Sequence, residues 1–183
     1  MTTESAPSTP ATPTRAATGA HTTNGMPHGS TSTPHQVVAP AAAAIDFYRD
    51  GFGARVVDVT RFPAADGGEL IAHAVLDLGA GMLTLSDPLN DYGLVAAAGA
   101  SAAAGGHSFS LAIYLPDVDA ATAAAEAAGA TIREQPMTFV SGDRFSSVLD
   151  PFGVRWSIMT RVEDLSPEEG ARRVAEWAAT QQA

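Results

Sequence analysis

Few side chains in this sequence are of types that do chemistry. Cysteine is absent, which removes thiolate nucleophiles, disulfides and Cys-based metal sites. No serine stands in Gly-x-Ser-x-Gly, the strained turn that exposes a hydrolase nucleophile. Gly79-Ala80-Gly81 and Gly105-Gly106 lack the strand–loop–helix setting of a phosphate cradle. That leaves histidine. His21 and His28 fall in a Thr/Ser/Pro/Ala-rich stretch and read as solvated. His35 sits on a short strand with the parity of Thr33; it is a candidate general base, and a hydrogen-bonded lining role is the commoner fate of such a residue. His73 shares parity with Val75 and Asp77, and hydrogen bonding is its default role. His107 falls at a strand start. Arg144, beside Asp143, is placed either to hold an anionic group or to form a surface pair with its neighbour.

The elements that must position these residues follow from composition and periodicity. The chain has 183 residues, 45% hydrophobic and 16% charged, with a net charge of −10 and a pI near 4.7. An acidic chain without Lys/Arg clusters argues against nucleic acid and anionic membranes as partners. No apolar run approaches the roughly 18 residues that a spanning helix needs. The first residues lack a basic start followed by an apolar stretch, so the expected location is cytoplasmic.

Residues 1–30 have no periodicity and few large apolar groups, and read as a disordered tail. A short strand is expected near Thr31–Val38, with Pro34 favouring an edge or a strand start. Pro40 then opens a helix whose stripe is Ala41, Ala44, Ile45, Tyr48 and Phe52, ended by Gly51 and Gly53. Strands follow at Arg55–Phe62, Leu70–Leu78 and Met82–Ser86. Pro88 to Gly106 reads as an Ala/Gly-rich linker. The order then recurs: a strand at Phe109–Leu115, a helix capped by Asp117 and ended by Gly129, a strand at Thr131–Met137, and an irregular stretch around Gly142-Asp143. The last hairpin turns at Asp150-Pro151-Phe152-Gly153, a type I turn sequence. Gly53-Ala54-Arg55 and Gly129-Ala130-Thr131 mark the same joint in each half, so the chain carries a weak internal repeat. Ser166, Pro167 and Glu169 start a separate C-terminal helix with a capping box and a stripe through Val174 and Trp177.

These signatures, taken in order, resemble the vicinal oxygen chelate superfamily, and within it the PhnB-like glyoxalase/bleomycin-resistance proteins. They are Ala44-Ile45-Asp46-Phe47-Tyr48 with Phe52-Gly53-Ala54, then Leu83-Thr84-Leu85-Ser86-Asp87, then Leu115-Pro116-Asp117-Val118-Asp119. Gly142-Asp143-Arg144, Asp150-Pro151-Phe152-Gly153 and Glu163-Asp164-Leu165-Ser166-Pro167 complete the set. The resemblance implies an α+β fold of two βαβββ modules, about 31–87 and 107–162. These would form a curved, open-barrel-like mixed sheet with helices outside and a ligand cavity on the concave face. The domain would then span 31–163 and the C-terminal helix 164–183. It also implies a homodimer.

Metal-dependent members of that superfamily bring four His or Glu ligands to the concave face. Matched by motif, the four positions here fall on Thr33, Thr84, Ser110 and Ser157. All are hydroxyl residues, which are poor ligands for zinc, iron, nickel or manganese. The expectation is therefore a protein without a metal or other cofactor that binds a small apolar or aromatic molecule. Its pocket candidates are Thr33, His35, Thr84, Ser110, Arg144, Arg155 and Ser157. The alternative is a lyase, isomerase or dioxygenase using a divalent metal or His35. Alternation puts Leu83, Leu85, Phe109, Leu111, Ile113, Val154, Trp156 and Ile158 under the helices and the candidates on the other face.

Overall fold

The computed structural model describes residues 32–64, 67–79, 81–96 and 109–181. The tail expected at 1–30, His107 and most of the linker lie outside these residues. The described part forms one compact unit from Thr33 onward. Its first module is β1 (His35–Val37), α1 (Ala41–Phe52), β2 (Arg55–Pro63), β3 (Glu69–Asp77) and β4 (Met82–Ser86). A short 3₁₀ turn, Asn90–Tyr92, follows. The second module is β5 (Ser110–Tyr114), α2 (Val118–Ala127), β6 (Thr131–Thr138), β7 (Asp143–Leu149) and β8 (Arg155–Arg161); α3 (Pro167–Thr180) comes last.

Each module makes a four-stranded mixed sheet, in the orders β1-β4-β3-β2 and β5-β8-β7-β6. In both, the first strand lies parallel to the fourth and the other pairs are antiparallel. The same order twice is what the internal repeat predicts.

One core serves both modules. The α1 stripe buries Ala41, Ala44, Ile45, Phe47, Tyr48 and Phe52; Leu83, Leu85, Ile113, Trp156 and Ile158 meet it from the strands. Phe52 lies 4.9 Å from Trp156 between ring centroids, across the two modules. The helices approach closely where Gly51 faces Ala125: a Cβ on Gly51 would come within 3.2 Å of the Ala125 Cα. Phe109 does not join this core and is 56% exposed. It precedes β5, whose ladder with β8 begins at Ser110, so no partner strand lies beside it.

Three signature aspartates act as hubs of this framework. Asp87 accepts from the Ala41 and Ile71 amides at 2.8 Å each, supplying α1 with the cap that Pro40 cannot. Asp117 caps α2 at the Ala120 amide. Asp150 is buried and accepts four bonds. Oδ1 takes the Phe152 and Val154 amides, and Oδ2 takes the Tyr48 hydroxyl at 2.7 Å and the Trp156 indole at 3.0 Å. Burial pushes this carboxyl above the ordinary range while the four donors oppose that shift. Tyr48 also lies 2.6 Å from Gln36 Oε1, but it has one proton for two acceptors. The network closes when the Gln36 amide turns so that Nε2, otherwise buried without a partner, donates to the phenol oxygen.

Helix α3 starts as its sequence predicts, with Ser166 Oγ accepting from the Glu169 amide. The Glu169 carboxylate is engaged by Arg172 and Arg173, which hold it down to about 2. No residue of α3 is fully buried. Trp177 rests edge-on against Phe139 at 4.9 Å.

Candidate functional site

The face of each sheet opposite its helix carries the candidate residues. In the first module the register sets His35 opposite Thr84 and Thr84 opposite Val75. His35 Nδ1 is 2.9 Å from Thr84 Oγ1, and its Nε2 is 3.3 Å from Ser86 Oγ. Thr84 donates its proton to the Pro34 carbonyl. The His35 Nδ1 therefore carries the ring proton and donates to Thr84, leaving Nε2 to accept from Ser86. The His73 ring stacks on His35, 5.8 Å between centroids and 5° from parallel. Burial, and then the neighbouring His73, lower the His35 pKa. His35 is thus a neutral imidazole with both nitrogens occupied. Thr33 precedes β1 and is half-buried, so the β1 residue facing Thr84 is His35.

In the second module three rows cross the open face, each defined by ladder partners. Ser110, Arg155 and Leu149 form the first; Ala112, Ser157, Ser147 and Glu134 the second; Tyr114, Met159, Phe145 and Met137 the third. Partners on adjacent strands stand about 4.7–4.9 Å apart, so a row is a continuous strip of side chains. The first two rows are polar and the third is apolar. Arg155 reaches diagonally over the sheet to Glu134 Oε2 at 2.6 Å, and Ser147 donates to the same oxygen. Leu149, buried yet outside the main core, lies on the row that Arg155 crosses. The Ser147 hydrogen bond, then Arg155, holds the Glu134 carboxyl below its ordinary range. Beyond the apolar row, Asp143 accepts from the Tyr114 hydroxyl at 3.4 Å and pairs with Arg161 at 3.0 Å.

The structure thus gathers His35 and Thr84 on one sheet, and Ser110, Arg155 and Ser157 on the other. Among the described residues the two groups bond within themselves and not to each other. Arg144 belongs to neither. It lies on the helix side of β7, in a bidentate pair with Asp119 of α2 at 2.6 Å, rather than with Asp143 or at a cavity mouth. Glu134, Ser147, Tyr114, Phe145 and Met137 join the face without having been singled out in the sequence.

The donor set of the described residues does not suit a catalytic metal. Among the described residues no group of three or more His, Asp or Glu side chains converges. Among the described residues His35 bonds only to the hydroxyls of Thr84 and Ser86, and Glu134, with one carboxylate oxygen given to Arg155 and Ser147, has no histidine or second carboxylate beside it. First-row metals favour imidazole and carboxylate ligands over neutral hydroxyls.

A model of the glyoxalase/bleomycin resistance protein/dioxygenase superfamily matches residues 16–158. The chain belongs to that superfamily. An uncharacterized protein of Mycobacterium tuberculosis, Rv0887c, is 34% identical over 140 residues, 75% of this chain and 78% of the relative. Among solved structures, TioX from Micromonospora sp. ML1 matches with a TM-score of 0.52 and 26% identity, over 75% of this chain and all of that one. The PhnB protein from Bacillus cereus shares the fold at 18% identity and a TM-score of 0.51, over 72% of this chain and 99% of that one. Of the four hydroxyl positions matched by motif, Thr84, Ser110 and Ser157 lie on the open faces, while Thr33 precedes β1.

Proposed function

We propose that this chain binds a small apolar or aromatic molecule on the open face of the second module, and that it does so without a metal. The observation that carries the reading is the row Tyr114, Met159, Phe145 and Met137 lying directly beside the polar pair Arg155–Glu134. Tyr114 and Met137 remain about half exposed there, and Phe145 is flanked by Phe139, against which Trp177 of α3 rests. Recognition sites for small molecules combine such apolar area with a few fixed polar groups. A thermal-shift screen of aromatic compounds tests this. A compound bound to the native state at a hundred times its Kd adds about 2.7 kcal/mol. The expected result is a raised Tm that Met159→Asp abolishes. Hits that stabilise the variant equally would place binding elsewhere.

A second reading, an enzyme of the lyase, isomerase or dioxygenase type, draws on His35, a neutral imidazole on the other open face. Its Nε2 lone pair faces Ser86 at 3.3 Å, a long bond that a substrate proton could replace. Elemental analysis of protein purified without chelators separates the two. Stoichiometric zinc, nickel, iron or manganese would favour the enzyme.

A homodimer in the cytoplasm completes the proposal. Both sheets end in edge strands, β1 and β2 in one and β5 and β6 in the other. Such edges are usually covered.

A further inference from the structure

We infer that the ligand's polar head is net neutral and carries both a hydrogen-bond donor and an acceptor, read together by Arg155 and Glu134 while its apolar body lies along the neighbouring row. The inference rests on the proposed binding face and narrows what that face selects.

The two open-face charge clusters of the second module differ in what they leave available. On the row to one side of the apolar strip, Asp143 is buried and fully engaged: Oδ1 serves Tyr114 and Arg161, and Oδ2 accepts from Ser141. On the row to the other side, Glu134 uses only Oε2, for Ser147 and Arg155. Its Oε1 has no partner among the described residues. Arg155 commits Nη2 to Glu134, and its Nη1 makes only a 3.5 Å contact with Ser157. An acceptor oxygen and guanidinium N–H groups therefore stand side by side, beside the apolar strip.

Charge then decides between head groups. A carboxylate placed on Arg155 also sits against Glu134, whose carboxyl is ionised at neutral pH. An ammonium placed on Glu134 sits against Arg155. Either meets one attraction and one repulsion at similar range. A primary amide presents a donor to Glu134 and an acceptor to Arg155 and brings no charge to repel; in a zwitterion such as an amino acid each charge lies nearest its opposite, so two attractions outweigh the longer cross-repulsions. Such specificity comes from repelling the wrong ligand as much as from holding the right one.

Four probes with one phenyl body test this: 3-phenylpropanamide, L-phenylalanine, 3-phenylpropanoate and 3-phenylpropylamine. Each is titrated at pH 7 into the ¹⁵N-labelled full chain, and Kd is read from displacement of the Met137, Phe145 and Met159 amide peaks. The amide and phenylalanine should bind about tenfold more tightly than the two singly charged probes, the size of one well-placed hydrogen bond to a charged group. Glu134→Gln should move the preference to phenylpropanoate, and Arg155→Gln should move it to phenylpropylamine. Phenylpropanoate or the amine binding most tightly to the unmodified chain would overturn the inference. So would four equal affinities, even if both variants fail to fold. No displacement on this face by any probe would overturn the binding face itself, and this inference with it.

Discussion

Asp150 shows how much of this fold hangs on single polar atoms. Its carboxylate ties the β7–β8 turn to α1 through Tyr48 and to β8 through Trp156. Tyr48→Phe leaves Oδ2 with the indole as sole partner and strips the Gln36 amide of its acceptor. The cost should be about 1–3 kcal/mol, read by urea unfolding. A variant as stable as the parent would mean that these groups find water instead. His35 gives the pH dependence at this scale. Its folded pKa lies below the ordinary imidazole value, because burial and His73 disfavour its charge. A proton therefore binds the unfolded chain more readily, and stability falls as pH drops below the ordinary imidazole range. His35→Gln should flatten that fall between pH 7 and 5, measured as Tm against pH. Sequence reading found His35 and Arg155 because plain alternation governs β1 and β8. It missed Glu134 because β6 is bulged on both sides of it, which breaks the count of two that parity relies on.

At the scale of elements, the joint between modules is the α1–α2 contact. Gly51 lets the two backbones approach, and larger residues there must push Ala125 away. Gly51→Leu should cost about 1–3 kcal/mol through overpacking. Gly51→Ala should be close to neutral, since the helix propensity it gains is about 1 kcal/mol and opposes the tighter contact. Equal stability of the leucine variant would show that the helices separate freely. Helix boundaries were legible because caps and glycines mark them: Asp117, Ser166 and Gly53 all stand where the sequence places them. The start of β7 was not. Gly142-Asp143 looks like loop sequence, yet Asp143 begins the strand. That shift reassigns Arg144 to the helix side, where Asp119 is within reach, and adds Phe145 to the open face.

For the whole molecule, the repeat of β-α-β-β-β is written twice in the sequence, and the two sheets follow it. How the open faces are covered is not written there, because it depends on surfaces that alternation leaves half exposed, such as Tyr114 and Met137. Light scattering at micromolar concentration should give a dimer mass. A monomer mass would mean that the sheet edges are capped within one chain.

The central claim is that a small molecule lies on the apolar row of the second module. Methionine methyl spectra test it most directly, since the chain has five methionines and two of them, Met137 and Met159, stand on that row. With ¹³C-methyl-labelled protein and any compound that raises the Tm, the account predicts saturable shifts at Met137 and Met159, with Met1 and Met26 unmoved. Stabilising compounds that leave both of those methyls in place would contradict it.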